Sequence, residues 1–166
     1  MNRELVKDLF LSLLIVLSQL LIFNHINLFG TVSTFIYVSL FILYKTTYDK
    51  TYLILFGFIV GLIIDLSLQT YGAHTLASIT VCYLKERIEK YSFGVNSTLP
   101  LAMIRGTQLT NRVTYFFLII FLHSLIYFSL IFFKFEFTLT IFLYTLINSI
   151  INFIIIWIIS MLIFDK

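Results

Sequence analysis

The chain has 166 residues, 60% of them hydrophobic and 11% charged, with a mean hydropathy of +1.03. Soluble domains carry roughly 25% charged residues, so this composition cannot cover a water-facing surface and points to a membrane protein. The net charge is only +3, and six Gly and one Pro leave few breaks, so a soluble catalytic module and a nucleic-acid-binding surface are both excluded as expectations.

A crossing helix needs roughly 20 apolar residues. Six are predicted, over about 9–23, 28–44, 52–68, 72–84, 113–133 and 138–164, within a single polytopic domain spanning 1–166. The first begins "MNRELVKDLFLSLLIVLSQLLIF", a basic start followed by an apolar run, as in a signal peptide. It lacks a small-x-small cleavage site before Asn24, so it is read as a retained span. Arg3, Lys7, Lys45, Lys50, Lys85, Arg87, Lys90, Arg105, Arg112 and Lys166 fall on one side of a six-span arrangement, and only Lys134 falls on the other. Ten cations against one predicts that both termini are cytoplasmic. The long linker at about 85–112 is then cytoplasmic. Its "KERIEKY" start is expected to carry the fourth helix beyond the membrane, and its cations fix topology or meet anionic headgroups or a protein partner. The triplet Asn96-Ser97-Thr98 would lie on that same side and is not expected to be glycosylated.

The stretch "GFIVGLIIDLSLQTYGAHTLA" at 57–77 holds most of the polar information. Gly57, Gly61 and Asp65 recur every four residues, on one helix face, where small residues let another helix approach closely. A charged group at the centre of a span costs about 2.5–3.5 kcal/mol on insertion scales. Asp65 falls about one turn before the outer end of its span, where that cost is lower. Gly72 is free to take φ > 0 and so allow a sharp reversal. His74 then opens the fourth span. Three arrangements fit: an Asp65–His74 side-chain pair, a helix cap by Asp65, or a solvated interfacial His74.

His123, with Tyr127 one turn on, reads as a bundle-interior hydrogen bonder, and so do Gln19, Asn148 and Asn152, with Thr145 on the same face as the two Asn. Cys82 has no partner cysteine in the chain and reads as a small buried residue. No HExxH, CxxC or phosphate-binding glycine loop occurs, and the His, Cys and carboxylates are scattered over different spans. A non-enzyme without metal or cofactor is expected.

The 57–77 stretch resembles the hallmark segment of the rod shape-determining MreD family, a Gly-Phe-x-x-Gly-Leu-x-x-Asp run, a short turn, then Gly-x-His and small residues. Here the matching positions are Gly57, Phe58, Gly61, Leu62, Asp65, Gly72, His74 and Ala77. Chain length, Gln19, the "LFG" of Leu28 to Gly30 and the basic segment after the fourth span agree in layout, and "FLHSLIYF" is similar to the His-containing segment of Bacteroidetes-type members. Family members often have Pro before the core of the second span, where this chain has "TVSTF". The resemblance implies a non-catalytic scaffold in the bacterial inner membrane. It implies MreC as direct partner, with MreB, RodA and a transpeptidase in the same elongation complex for peptidoglycan synthesis. It also implies a six-helix fold resembling the substrate-binding subunits of energy-coupling-factor transporters. That fold carries an alternative, a vitamin-like small-molecule binding subunit. Short outer linkers and few intramembrane polar groups weigh against it.

Overall fold

The computed structural model describes residues 3–28, 32–44, 49–94 and 107–164. Arg105, Lys45, Lys166, Gly30, Gly106, Pro100 and the Asn96-Ser97-Thr98 triplet lie outside them. Among the described residues six α-helices follow in order: α1 (Arg3–Leu21), α2 (Val38–Leu43), α3 (Lys50–Leu68), α4 (Ala73–Phe93), α5 (Leu109–Phe132) and α6 (Thr138–Phe164). Short 3-10 turns, Phe23–His25 and Phe135–Phe137, precede the 27–44 segment and α6. Among the described residues, four stretches are long and apolar enough to cross a membrane: Val6–His25, Lys50–Leu68, Leu109–Phe132 and Phe135–Leu162. The fold is that of an all-α membrane protein.

The helices pack in chain order, α3 on α4, α4 on α5 and α5 on α6, with α1 lying against α3. Their outer faces stay apolar: Leu9 and Phe10 on α1, Leu66 on α3, Leu139 and Phe142 on α6 are exposed. Such a surface suits lipid rather than water. The core gathers Phe35, Tyr37 and Phe41 with Ile64, Val81, Ile119, Ile120 and Ile156.

Two predicted spans differ from helices of crossing length. The 72–84 span is the start of a longer helix, α4, whose later turns carry Lys85, Glu86, Arg87, Glu89 and Lys90. The predicted extension past the apolar run is therefore present. The 28–44 span is a correction. Only Val38–Leu43 is helical, about 9 Å of helix at 1.5 Å per residue. Before it, Asn27–Leu28 pairs antiparallel with Val32–Ser33, and residues 34–37 are irregular.

The cause is local chemistry combined with supplied partners. Val32, Ser33 and Thr34 are β-branched or hydroxyl residues that disfavour helix. Gln19 on α1 donates Nε2 to the Thr34 carbonyl at 2.8 Å and accepts the Tyr37 amide at 3.3 Å. Asn152 on α6 accepts the Phe35 amide at 2.6 Å and donates to the Ser33 carbonyl at 3.0 Å. Thr34 Oγ1 donates to the Phe23 carbonyl at 2.8 Å. Buried non-helical backbone persists only where its N–H and C=O groups find partners. Gln19 and Asn152 supply them here; Gln19 also donates to the Asn24 side chain and Asn152 to the Asn148 carbonyl of its own helix.

Candidate functional site

The 57–77 stretch folds as a tight hairpin of α3 and α4. A Cβ on Gly61 would lie 2.6 Å from Thr75 Cα and 2.9 Å from Thr75 N, so only glycine permits this approach of α4. A Cβ on Gly57 would lie 2.6 Å from Cys82 Sγ. Ala77 is buried in the core, while Phe58 and Leu62 face outward, exposed. The motif therefore has one face for helix contact and one for the surroundings.

The turn is built from positive-φ residues: Gln69 at 56°, Tyr71 at 52° and Gly72 at 94°. It brings Asp65 over the first turn of α4. Asp65 Oδ1 accepts the His74 amide at 3.0 Å and the Thr70 hydroxyl at 2.5 Å. Oδ2 accepts the Thr75 amide at 2.8 Å and its hydroxyl at 2.5 Å. The first amides of a helix have no intrahelical acceptor, and a carboxylate placed there also meets the positive end of the helix dipole. Asp65 is thus a cap delivered from the preceding helix, since the N-cap position itself is Gly72 and offers no side chain. This is how a buried acid is kept without a cation: four donors, two of them fixed by backbone, replace its hydration.

Of the three arrangements open from the sequence, the helix cap is the one found. His74 meets Asp65 through its backbone amide, and its ring is turned into the bundle, fully buried rather than interfacial. The ring Nδ1 lies 2.8 Å from the Tyr37 hydroxyl, and the same hydroxyl lies 2.6 Å from His123 Nε2. Phe35 and Tyr127 flank the rings, with Tyr127 at 4.5 Å from His74 between centroids. His123 is, as expected, a bundle-interior hydrogen bonder. Asn148 is buried, and its carbonyl oxygen on the main chain accepts the Asn152 side chain at 2.9 Å. Its own amide atoms have no partner among the described residues, nor does the Thr145 hydroxyl.

The basic segment divides in the structure. Lys85 does not reach outward. It is buried and paired with Glu89 one turn on, and the Tyr115 hydroxyl lies 3.2 Å from both Glu89 Oε1 and the Ile42 carbonyl. This ties α4, α5 and the end of α2 together. Arg87 and Lys90 are exposed, with Lys90 bonded to Glu86 at 2.6 Å. Lys50 sits 3.8 Å from Glu86 and 4.5 Å over the Tyr83 ring. Arg112 lies 5.8 Å over the Trp157 ring. At the start of α3, the Asp49 carboxylate accepts the Thr51 amide at 2.8 Å, which holds its pKa below the ordinary value of 3.8.

Tyr37, Thr70, Thr75, Glu89 and Tyr115 were not legible as site residues. Thr75 carried a signal, a hydroxyl residue three positions after a turn glycine, where helix amides await acceptors. Glu89 carried another, four residues after Lys85. Among the described residues no group of three or more His, Cys, Asp or Glu is placed to hold a metal ion. Compared with known protein families, curated proteins and solved structures, the chain has no match.

Proposed function

We propose that this chain is a non-catalytic, MreD-like scaffold of the bacterial elongation machinery, seated in the inner membrane and binding MreC. The observation that carries the reading is the use made of the MreD-like positions. Gly57 and Gly61 set helix contact, Asp65 caps, Gly72 turns, and Phe58 and Leu62 lie exposed on the adjoining face. The glycines, Asp65 and Gly72 serve architecture, and the exposed face is left for a neighbour or lipid. In this reading the hairpin turn faces the periplasm and the Lys85 end faces the cytoplasm. The 32–43 segment then makes the second of six crossings, with its backbone held by Gln19 and Asn152.

The test is affinity capture of the full-length protein from native membranes under mild detergent. MreC is expected among the recovered proteins, and Asp65→Ala is expected to lower its yield. Recovery of an ATP-binding-cassette module instead of MreC would overturn the scaffold and favour a transporter subunit.

A further inference from the structure

Three elements send one buried polar ring each to a common point. Tyr37 comes from the turn before α2, His74 from the first turn of α4 and His123 from the middle of α5, and none is exposed to solvent. The Tyr37 hydroxyl faces a ring nitrogen of each histidine, at 2.8 Å and 2.6 Å. A phenol carries one proton. It donates to one imidazole, and the second contact is a hydrogen bond only if the other imidazole donates to the phenol oxygen.

This couples the two tautomers. If Tyr37 donates to His74 Nδ1, the His74 proton is on Nε2, and His123 donates from its own Nε2. Both rings are then Nε2–H. If Tyr37 donates to His123 Nε2, then His123 carries Nδ1–H and His74 donates from Nδ1. Both rings are then Nδ1–H. One mixed pair puts two bare nitrogens on a single proton. The other turns the phenol proton away from both rings toward the Ser78 hydroxyl beside it, so the coupling holds only while the phenol donates to a histidine.

Passing from the first state to the second moves a proton without leaving charge behind. His74 Nε2 releases a proton and Nδ1 takes the phenol proton. The phenol oxygen takes the proton from His123 Nε2, and His123 Nδ1 takes one from outside. The two outer nitrogens, His74 Nε2 and His123 Nδ1, are buried with no partner among the described residues. In either state one is a donor and the other an acceptor. Buried polar atoms left unmade are costly, and a polar site offering each water two to four partners holds water. Such partners are at hand. Ser78 lies one turn after His74 on α4, beside the Tyr37 hydroxyl, and Ser124 adjoins His123; both are buried, and Ser124 has no partner among the described residues. Because α5 and α6 run antiparallel through the 133–137 turn, Asn148 is close to the level of Ser124. The other titratable groups turned toward the triad are Asp65, whose oxygens are held by the start of α4, Tyr127 on α5 and Cys82 on α4.

We propose that His74, Tyr37 and His123 form a proton relay within the bundle, its outer nitrogens served by internal water. Full-length protein labelled with 15N-histidine, in lipid nanodiscs, gives the test by NMR. Both rings are expected in the same tautomer, or exchanging together between the two, with magnetisation transfer from water to the outer N–H. One ring in each tautomer overturns the coupling, and absence of water transfer at both rings overturns the relay. In Tyr37→Phe the ring stays but the carrier is gone, so exchange of the histidine rings between the two tautomers should slow by about tenfold or more. Unchanged exchange with an intact amide fingerprint would take Tyr37 out of the path. The wild-type tautomer measurement decides the coupling independently of how the variant folds.

Discussion

The two ends of α4 each bury a carboxylate, and they neutralise it differently. At the first turn, Asp65 is held by two backbone amides and two threonine hydroxyls, with no cation among those donors. Further along, Glu89 is held by Lys85 on its own helix and by the Tyr115 hydroxyl from α5. The first charge depends on the geometry of a turn, because two of its donors exist only if α4 starts where it does. The second depends on matching side chains and is indifferent to where the helix begins. Backbone capping makes a buried acid specify a chain reversal, whereas Glu89, paired within its own helix, specifies helix-to-helix contact only through the Tyr115 hydroxyl.

That contrast can be broken first at the ion pair. Lys85→Met leaves Glu89 buried without the lysine charge, and losing one partner of a buried pair costs about 3–5 kcal/mol. Adding Glu89→Gln should recover most of that loss, since two neutral groups of similar shape remove both charges together. Thermal unfolding of the single and double variants in detergent is the measurement, and a double variant no more stable than the single would show that the pair is not energetically coupled. At the other end no such rescue is available. Asp65→Asn keeps the size but removes the charge and one acceptor, so a loss of about 1–3 kcal/mol is expected. Pairing it with a neutralised cation should restore nothing, which the same unfolding assay checks.

Gly61 tests the geometry without touching charge. Alanine there puts a Cβ against the Thr75 backbone, which has no flexible end to move aside. Overpacking of this kind costs about 1–3 kcal/mol, and the loss should rise with Gly61→Leu. Equal stability of the wild type and both variants would mean that α3 and α4 separate freely, and the cap would then have no fixed target.

The sequence made the long helices legible because length and apolar content are what a spanning helix requires. Segments α3, α5 and α6 follow the predicted runs closely. The same criterion failed at 28–44, since hydropathy registers burial and not conformation. A buried irregular segment held by Gln19 and Asn152 is as apolar as a helix. Those two polar residues were visible as buried bonders, but their partners lie far along the chain, as Phe35 lies 117 residues from Asn152. Asp65 was readable as a possible cap because its spacing to Gly72 is local. Tyr37 was not readable as the ring partner of His74, 37 residues away, because a tyrosine in an apolar run gives no sign of what its hydroxyl meets.

The smallest effect belongs to Asp49, a cap of the ordinary kind and the exposed counterpart of Asp65. Its folded pKa is lowered first by the Thr51 amide, so the folded state holds the ionised form more firmly than the unfolded chain does. The sign follows: the stabilisation is fully present above the ordinary value of 3.8 and fades as pH falls below it, through the lowered folded value. Asp49→Asn should therefore unfold at nearly the same temperature as the wild type in acid, and slightly below it near neutrality. Asparagine still accepts the Thr51 amide but lacks the charge that favours a helix start. Thermal scans of both proteins across that range read the difference. A gap that widens on acidification would mean that the Asp49 carboxylate is not the group being titrated, and the likeness between the exposed cap and the buried one at Asp65 would not hold.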